Sequence, residues 1–148
     1  MTKKIKLFDP VIGSSEINSV KKVLESHFWA SGSGTANVKK FENKFKKYVD
    51  SNACVAVNSG TAALNLALSV LDIQHKEVIL PSLSFVSTAH AVIVNKAKPI
   101  FVDVEPKTLC IDLEQIQKHI TTKTKVILPV HFAGMPSNLK DILTVCKE

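Results

Sequence analysis

The sequence contains no arginine, and this absence bears directly on the partners that its charge suggests. All nineteen cationic side chains among its 148 residues are lysines, and with thirteen acidic residues they give a net charge of +6. Proteins that read nucleic acids rely on arginine for two-pronged contacts with bases and phosphates. The lysines are also scattered along the chain and do not form one basic cluster. We therefore expect no nucleic-acid partner.

Long apolar runs and paired cysteines are missing as well. No stretch approaches the roughly 20 apolar residues that a membrane span requires, and the basic start of the chain is not followed by the apolar segment of a signal peptide. These features favour a cytoplasmic protein without a membrane partner. The three cysteines are odd in number and widely spaced, which excludes a disulfide framework and favours no metal site.

What the chain does contain is a regular alternation of short apolar runs and helical patterns. Its length is that of one domain, which buries roughly two-thirds of the surface of its unfolded chain. Continuous apolar strands separated by helices are typical of a parallel sheet covered on both faces. Asp112 and Ser137 are the predicted caps of the last two helices. The predicted strands are 54–57, 77–80, 99–104 and 125–130, and the predicted helices are 62–71, 85–94, 113–120 and 138–146.

Two amphipathic helices are predicted ahead of this alternation. The first begins near Ser14 or Ser15, either of which can cap it. The second runs from 37 to 48 and carries an apolar stripe of aromatic and aliphatic residues that is typical of core packing. The segment 28–36 between them is rich in glycine and serine, as expected of a flexible connector or of a loop that lines a site.

The stretch from Asn58 to Leu64 lies between a predicted strand and a predicted helix. Gly60 has no Cβ, so a ligand can approach the backbone closely there. The amides of Gly60, Thr61 and Ala62 are among the first of the helix and have no partner inside it, so this helix start is suited to a phosphate. The alternative is that Ser59 simply caps a buried helix.

Other candidate site residues follow the later strands. In an open α/β sheet, ligands bind outside the carboxyl ends of the strands. Phe85 offers a flat face that either stacks on a ligand or belongs to the core. Asp103 and His131 can titrate or orient a ligand, although an Asp that caps its loop and a structural His with satisfied hydrogen bonds are commoner. The sequence leaves these alternatives open.

Five signatures, taken together, resemble one known family. They occupy residues 41–42, 58–64, 81–89, 99–104 and 129–136. In this order they resemble the N-terminal part of the DegT/DnrJ/StrS family of pyridoxal-phosphate-dependent sugar aminotransferases. The resemblance implies that residues 1–148 form the N-terminal part of an aspartate-aminotransferase-type large domain (PLP fold type I). Its sheet would be mostly parallel and incomplete, with helices on both faces, and the C-terminal domain would be absent.

The resemblance also implies roles for individual residues. The backbone amides of Gly60, Thr61 and Ala62 would hold the cofactor phosphate, and Phe85 would stack on the pyridine ring. Residues 29–34 resemble, more loosely, the family's glycine-containing segment near the active site. In the family, the Asp that pairs with the pyridine nitrogen and the Lys that binds the cofactor covalently come later in the chain. We therefore expect no catalytic residue before Glu148.

The activity implied by the resemblance is transfer of an amino group, with glutamate as the expected donor, to a keto-sugar nucleotide in polysaccharide biosynthesis. Without the lysine, the chain is expected to be the N-terminal portion of such an enzyme, usually a dimer. The alternative is a non-enzymatic module that binds a phosphate ligand or a protein. A parallel sheet without its later strands exposes an apolar edge, so we also expect self-association or binding of a complementary fragment.

Overall fold

Two helices are described in the first part of the chain. The computed structural model describes residues 6, 8–28 and 36–147, which divide into a unit within residues 1–56 and a unit within 57–148. In the first unit, α1 spans Ser14–Glu25 and α2 spans Ala36–Tyr48, and neither helix has a buried residue. The segment 29–34, which we expected near the site, lies outside the described residues.

The start of α1 differs from the prediction that Ser14 or Ser15 caps the helix. The cap is Gly13, an extended residue whose N–H donates to Oε2 of Glu16 at 2.7 Å. The side chain of Glu16 thus reaches back to the amide that precedes the helix, as the acidic residue of a capping box does. This hydrogen bond is the main reason that the pKa of Glu16 lies below its ordinary value.

The second unit contains a three-stranded sheet and four α-helices among its described residues. Each predicted helix is present, with boundaries shifted by at most two residues. The strand predicted at 77–80 is one residue longer, and the strands predicted at 99–104 and 125–130 are shorter. In chain order the elements are α3 (Gly60–Ser69), β1 (Glu77–Pro81), α4 (Val86–Val94), β2 (Lys98–Val102), α5 (Leu113–His119), β3 (Thr124–Ile127), a 3₁₀ turn (Phe132–Gly134) and α6 (Leu139–Val145).

The sheet has the order β2-β1-β3, and both pairings are parallel, as predicted. Ile79 on the central strand lies opposite Ile100 on β2 and Ile127 on β3. Successive residues of a strand point to opposite faces, and β1 is buried along its whole length. Val78 packs with Leu68, Ala91 and Val92, whereas Ile79 packs with Ile111, Ile116 and Ile142. Helices α3 and α4 therefore cover one face, and α5 and α6 cover the other.

The prediction of a strand at Cys54–Val57 was wrong. This segment forms no ladder with any strand in the described part of the chain, and Val55 and Val57 are exposed. The N–H of Ala56 donates instead to Oε1 of Glu42 at 2.9 Å. An apolar run becomes a strand only where a neighbouring strand supplies the ladder hydrogen bonds.

The two predicted caps in the second unit have different outcomes. Asp112 caps α5, since its Oδ1 accepts the N–H groups of Glu114 and Gln115 at 2.8 and 3.3 Å. The prediction of Ser137 as the cap of α6 was wrong, because Asn138 takes that position and accepts the N–H of Asp141. The hydroxyl of Ser137 is turned back toward the sheet and donates to the carbonyl of Val130.

No helix in the described ranges is both long enough and apolar enough to cross a lipid bilayer.

Candidate phosphate and aromatic site at the sheet edge

The start of α3 combines a serine cap with two open amides. Ser59 is extended, with φ −162° and ψ 158°, and its Oγ accepts the N–H of Ala62 at 3.1 Å. Its carbonyl accepts the N–H of Ala63 at 3.0 Å. Within the described residues, the N–H groups of Gly60 and Thr61 have no acceptor. The capping role of Ser59 is thus present, and it leaves two donors at the positive end of the helix.

The glycine at position 60 is not required by the conformation of the chain. Gly60 lies outside the left-handed region, and a Cβ added to it would meet no heavy atom within 4 Å. The space beside its Cα is therefore open, and no described residue occupies the N–H groups of Gly60 and Thr61, so a phosphate group can approach them. The Ala62 amide, by contrast, already has Ser59 Oγ as its acceptor. The local geometry therefore fits a phosphate at this helix start through two amides.

Phe85 lies at the cap position of α4, immediately after the loop that follows β1. Its backbone is extended and its carbonyl accepts the N–H of Thr88 at 3.0 Å. The residue is 75% exposed, so the alternative of Phe85 as a core residue was wrong for this chain. The main chain of Phe85 is held by this hydrogen bond and the residue is open to solvent, so its ring is available for stacking on a ligand.

The sheet brings the strand-end loops to one edge. The Leu128 N–H donates to the Ile79 carbonyl at 2.8 Å, and the Ser82 N–H donates to the Val102 carbonyl at 2.8 Å. Because the strands are parallel, the residues that follow β1, β2 and β3 leave the sheet on the same side. Phe85, Asp103 and His131 all belong to these segments. No hydrogen bond or ring contact between described residues joins the start of α3 to Phe85 or to His131.

Asp103 caps its own loop, which is the commoner of its two alternatives. Its Oδ1 accepts the N–H of Val104 at 2.8 Å, and its carbonyl accepts the N–H of Asp112 at 3.1 Å. Glu105, two residues later, was not predicted as a site residue, and its carboxylate accepts the N–H groups of Lys107 and Thr108. Hydrogen bonding by the Thr108 side chain is the largest cause that lowers the pKa of Glu105. Both carboxylates thus organise the loop.

His131 is held by the segment that leads into α6. Its Nδ1 accepts the N–H of Ser137 at 2.9 Å, and the Oγ of Ser137 donates to the carbonyl of Val130 at 3.1 Å. These two bonds close a turn in which Ala133 and Gly134 have φ values of 50° and 82°. The structural role that the sequence left open for His131 is therefore present at Nδ1 alone, since Nε2 has no hydrogen-bond partner among the described residues, and the residue remains exposed.

The sequence profile described as the DegT/DnrJ/EryC1/StrS aminotransferase family matches residues 10–148. A dTDP-4-dehydro-2,3,6-trideoxy-D-glucose 4-aminotransferase of Saccharopolyspora spinosa is 37% identical over 147 residues, which are 97% of this chain and 37% of that protein.

Solved structures are also similar to this chain. An aminotransferase from Psychrobacter cryohalolentis superimposes with a TM-score of 0.88 and 34% identity over 93% of this chain and 35% of that one. A GDP-4-keto-6-deoxy-D-mannose-3-dehydratase of E. coli, solved with bound hydrated PLP, gives a TM-score of 0.85 and 29% identity over 95% of this chain and 37% of its own. The chain thus spans about a third of the length of these relatives.

Proposed function

Because the chain belongs to the DegT/DnrJ/EryC1/StrS aminotransferase family, we propose that it supplies the phosphate-binding part of a pyridoxal-phosphate-dependent sugar aminotransferase. The observation that carries this proposal is the start of α3, where Gly60 and Thr61 present two N–H groups that have no acceptor among the described residues. This helix start lies within the 58–64 signature, and the space beside Gly60 is open. The pyridoxal-phosphate enzymes among the structural neighbours support the same cofactor for the full-length family member.

The residues of this chain bind and orient the cofactor, and we assign none of them to the chemical step. The amides of Gly60 and Thr61 hold the phosphate. The Ala62 N–H, which donates to Ser59 Oγ, adds a third hydrogen bond when it is shared between that oxygen and the phosphate. Phe85 stacks on the pyridine ring. When bound, the cofactor supplies an electron sink for amino-group transfer. No lysine of this chain stands in the family's covalent-attachment context, so we assign neither that group nor the acidic partner of the pyridine nitrogen to a residue of this chain.

We propose a keto-sugar nucleotide as the amino-group acceptor and glutamate as the donor. The acceptor class is supported by the names of two relatives, one a dTDP-sugar aminotransferase and the other a GDP-keto-sugar dehydratase. A cytoplasmic site of action accords with activated sugars as substrates.

We also propose that the chain works as a homodimer or with a complementary polypeptide. Large apolar side chains are exposed along α4 and beside it, and exposed apolar patches favour association. These residues are Phe85, Val86, Ile93 and Val94. Light scattering of the chain at high concentration is expected to give a mass above that of one chain, and a clean monomer would contradict the proposal.

Equilibrium binding of pyridoxal phosphate tests the proposed site. Gly60→Val is expected to weaken binding about tenfold or more, because a branched side chain beside the open amides obstructs hydrogen bonds to a charged group. The variant is expected to keep its far-ultraviolet circular dichroism, since a Cβ at position 60 meets no neighbouring atom. Ser69→Val, at the exposed far end of the same helix, is the matched control and should bind as the unmodified chain does.

Three results would count against the proposal or redirect it. Absence of pyridoxal phosphate binding by the unmodified chain contradicts the proposed function. Unchanged binding by Gly60→Val removes the start of α3 as the site. If inorganic phosphate competes as strongly as pyridoxal phosphate, the alternative of a general phosphate-binding module is favoured, because the aromatic ring of the ligand then contributes nothing.

A further inference from the structure

The imidazole of His131 is fixed by a buried residue. Nδ1 accepts the Ser137 N–H at 2.9 Å, and Ser137 is only 4% exposed. The Oγ of Ser137 in turn donates to the carbonyl of Val130, the residue that precedes His131. The ring is therefore tied at one nitrogen to a group that solvent does not reach, and the bond from Ser137 Oγ holds that group in place.

This hydrogen bond also determines which nitrogen carries the proton. A nitrogen that accepts from a backbone N–H cannot itself be protonated, so the neutral ring has its proton on Nε2. In the described part of the chain, Nε2 has no hydrogen-bond partner. The side chain is exposed, so a ring of fixed tautomer offers a single donor to solvent or to a ligand.

His131 lies at the edge of the sheet where the segments that follow the strands meet. Leu128 is hydrogen-bonded to Ile79 of the central strand, so the segment from Leu128 to His131 continues beyond the end of β3 beside the end of β1. Phe85 follows β1 on that same edge. Ligands of open α/β sheets bind outside the carboxyl ends of the strands. The donor therefore belongs to the same edge as the exposed aromatic ring.

We infer that His131 is a ligand-binding residue that donates a hydrogen bond from Nε2 to an acceptor oxygen of the pyridoxal phosphate bound at this edge. The inference rests on the proposed function and assigns to it a residue beyond the phosphate cradle. Ser137 is the positioning residue of this arrangement, because its amide sets the tautomer and the orientation of the ring.

Two substitutions at position 131 test the acceptor at Nδ1 and the donor at Nε2 separately. In His131→Asn, the side-chain oxygen can replace Nδ1 as the acceptor for the Ser137 N–H, but the donor at Nε2 is lost. In His131→Gln, the side-chain amide nitrogen can reach the position of Nε2, but the acceptor for Ser137 is lost. His119→Asn is the control, because His119 is an exposed histidine on α5 whose Nδ1 contacts the carbonyl of Gln115.

Binding of pyridoxal phosphate and resistance to denaturant are measured for each variant. His131→Asn is expected to bind about tenfold more weakly while keeping the stability of the unmodified chain. His131→Gln keeps a donor but loses the bond from Ser137 that orients it, so it is expected to bind more tightly than His131→Asn, more weakly than the unmodified chain, and to lose stability. The control should change neither. Unimpaired binding by His131→Asn would overturn the inference and leave His131 with a structural role alone.

A measurement on the unmodified chain covers the case in which a variant does not fold. In a nitrogen–proton correlation spectrum of the His131 ring, added pyridoxal phosphate is expected to protect the Nε2 proton from exchange with water. An Nε2 signal that is unchanged at saturating ligand overturns the inference while the proposed function stands. Absence of any binding by the unmodified chain overturns both.

Discussion

The carboxylate of Glu42 on α2 accepts a hydrogen bond from the backbone N–H of Ala56 at 2.9 Å. Both residues belong to the first unit of the chain. The bond gives the Phe41-Glu42 signature a physical role, since the glutamate holds the segment that ends the first unit. The Ala56 N–H therefore bonds to the side chain of a helix residue, whereas in a sheet it would bond to a neighbouring strand.

Loss of the Glu42 carboxylate is expected to loosen this segment. In Glu42→Ala, the exchange of the Ala56 amide with solvent should become about tenfold faster, because a half-buried hydrogen bond to a charged group contributes about 1.5 kcal/mol. Hydrogen exchange followed by nuclear magnetic resonance measures this rate. Glu25→Ala removes an exposed carboxylate that pairs with Lys21 at 3.6 Å, and it should leave the Ala56 amide unchanged. Equal rates in all three proteins would contradict the prediction.

A second prediction concerns acid stability. Glu77 is buried at the start of β1, where its Oε2 accepts the hydroxyl of Thr121 at 2.6 Å and its Oε1 lies 3.3 Å from Nζ of Lys98. The Thr121 hydrogen bond is the largest cause that lowers the pKa of Glu77 from its ordinary value of 4.5, and Lys98 adds to it. Because the folded-state pKa is the lower one, the stabilisation is complete above 4.5 and is lost as the pH falls through the folded-state value.

Denaturant unfolding between about pH 7 and pH 3 measures this contribution. Glu77→Gln is expected to be less stable than the unmodified chain at pH 7 and to lose less stability on acidification. Part of the slope should remain, because Glu16 and Glu105 also have lowered pKa values. Glu114→Gln, which removes an exposed partner of Lys118, should keep the original pH dependence. An identical slope for Glu77→Gln would refute the assignment.

A third prediction compares two isoleucines of opposite exposure. Ile116 on α5 is fully buried against Ile79 and Ile142, whereas Ile93 on α4 is 55% exposed. Ile116→Ala is expected to lower the free energy of unfolding by about 2–5 kcal/mol, since it removes buried methyl groups and leaves a cavity. Ile93→Ala should cost about 1 kcal/mol or less. Chemical denaturation gives both values, and similar losses in the two variants would contradict the two-faced core described for the sheet.

The sheet and its helices were predictable because their signals are local. Continuous apolar runs such as 77–80 indicate buried parallel strands whatever their partners are, and Asp112 is a strong cap in front of an apolar helical pattern. The strand expected at Cys54–Val57 failed because strand formation depends on a partner that the sequence pattern cannot supply. The cap at Asn138 depended on which of two adjacent polar residues turns toward the helix. The cap at Gly13 was missed because this residue has no side chain and its contact is a backbone N–H that donates to Glu16.

The candidate site was likewise predictable only in part. The cap at Ser59 follows from its position before the helix, and the strand-end positions of Phe85 and His131 follow from the parallel sheet. The exposure of Phe85 does not follow from the sequence, because a phenylalanine beside an apolar helix is ordinarily buried. The bond from Ser137 to His131 was also unpredictable, since the intervening turn places Ala133, a non-glycine residue, in the left-handed region.

The central position of β1 has a consequence for synthesis of the chain on the ribosome. β1 is translated before both of its neighbours, β2 emerges next, and β3 is the last strand of the described sheet to appear. One edge of the most buried strand therefore stays unpaired until Ile127 has left the ribosome, and Ile79 gains its partner Ile142 later still. A nascent chain released before that point would expose an apolar strand edge, which is the part of a sheet most prone to aggregation.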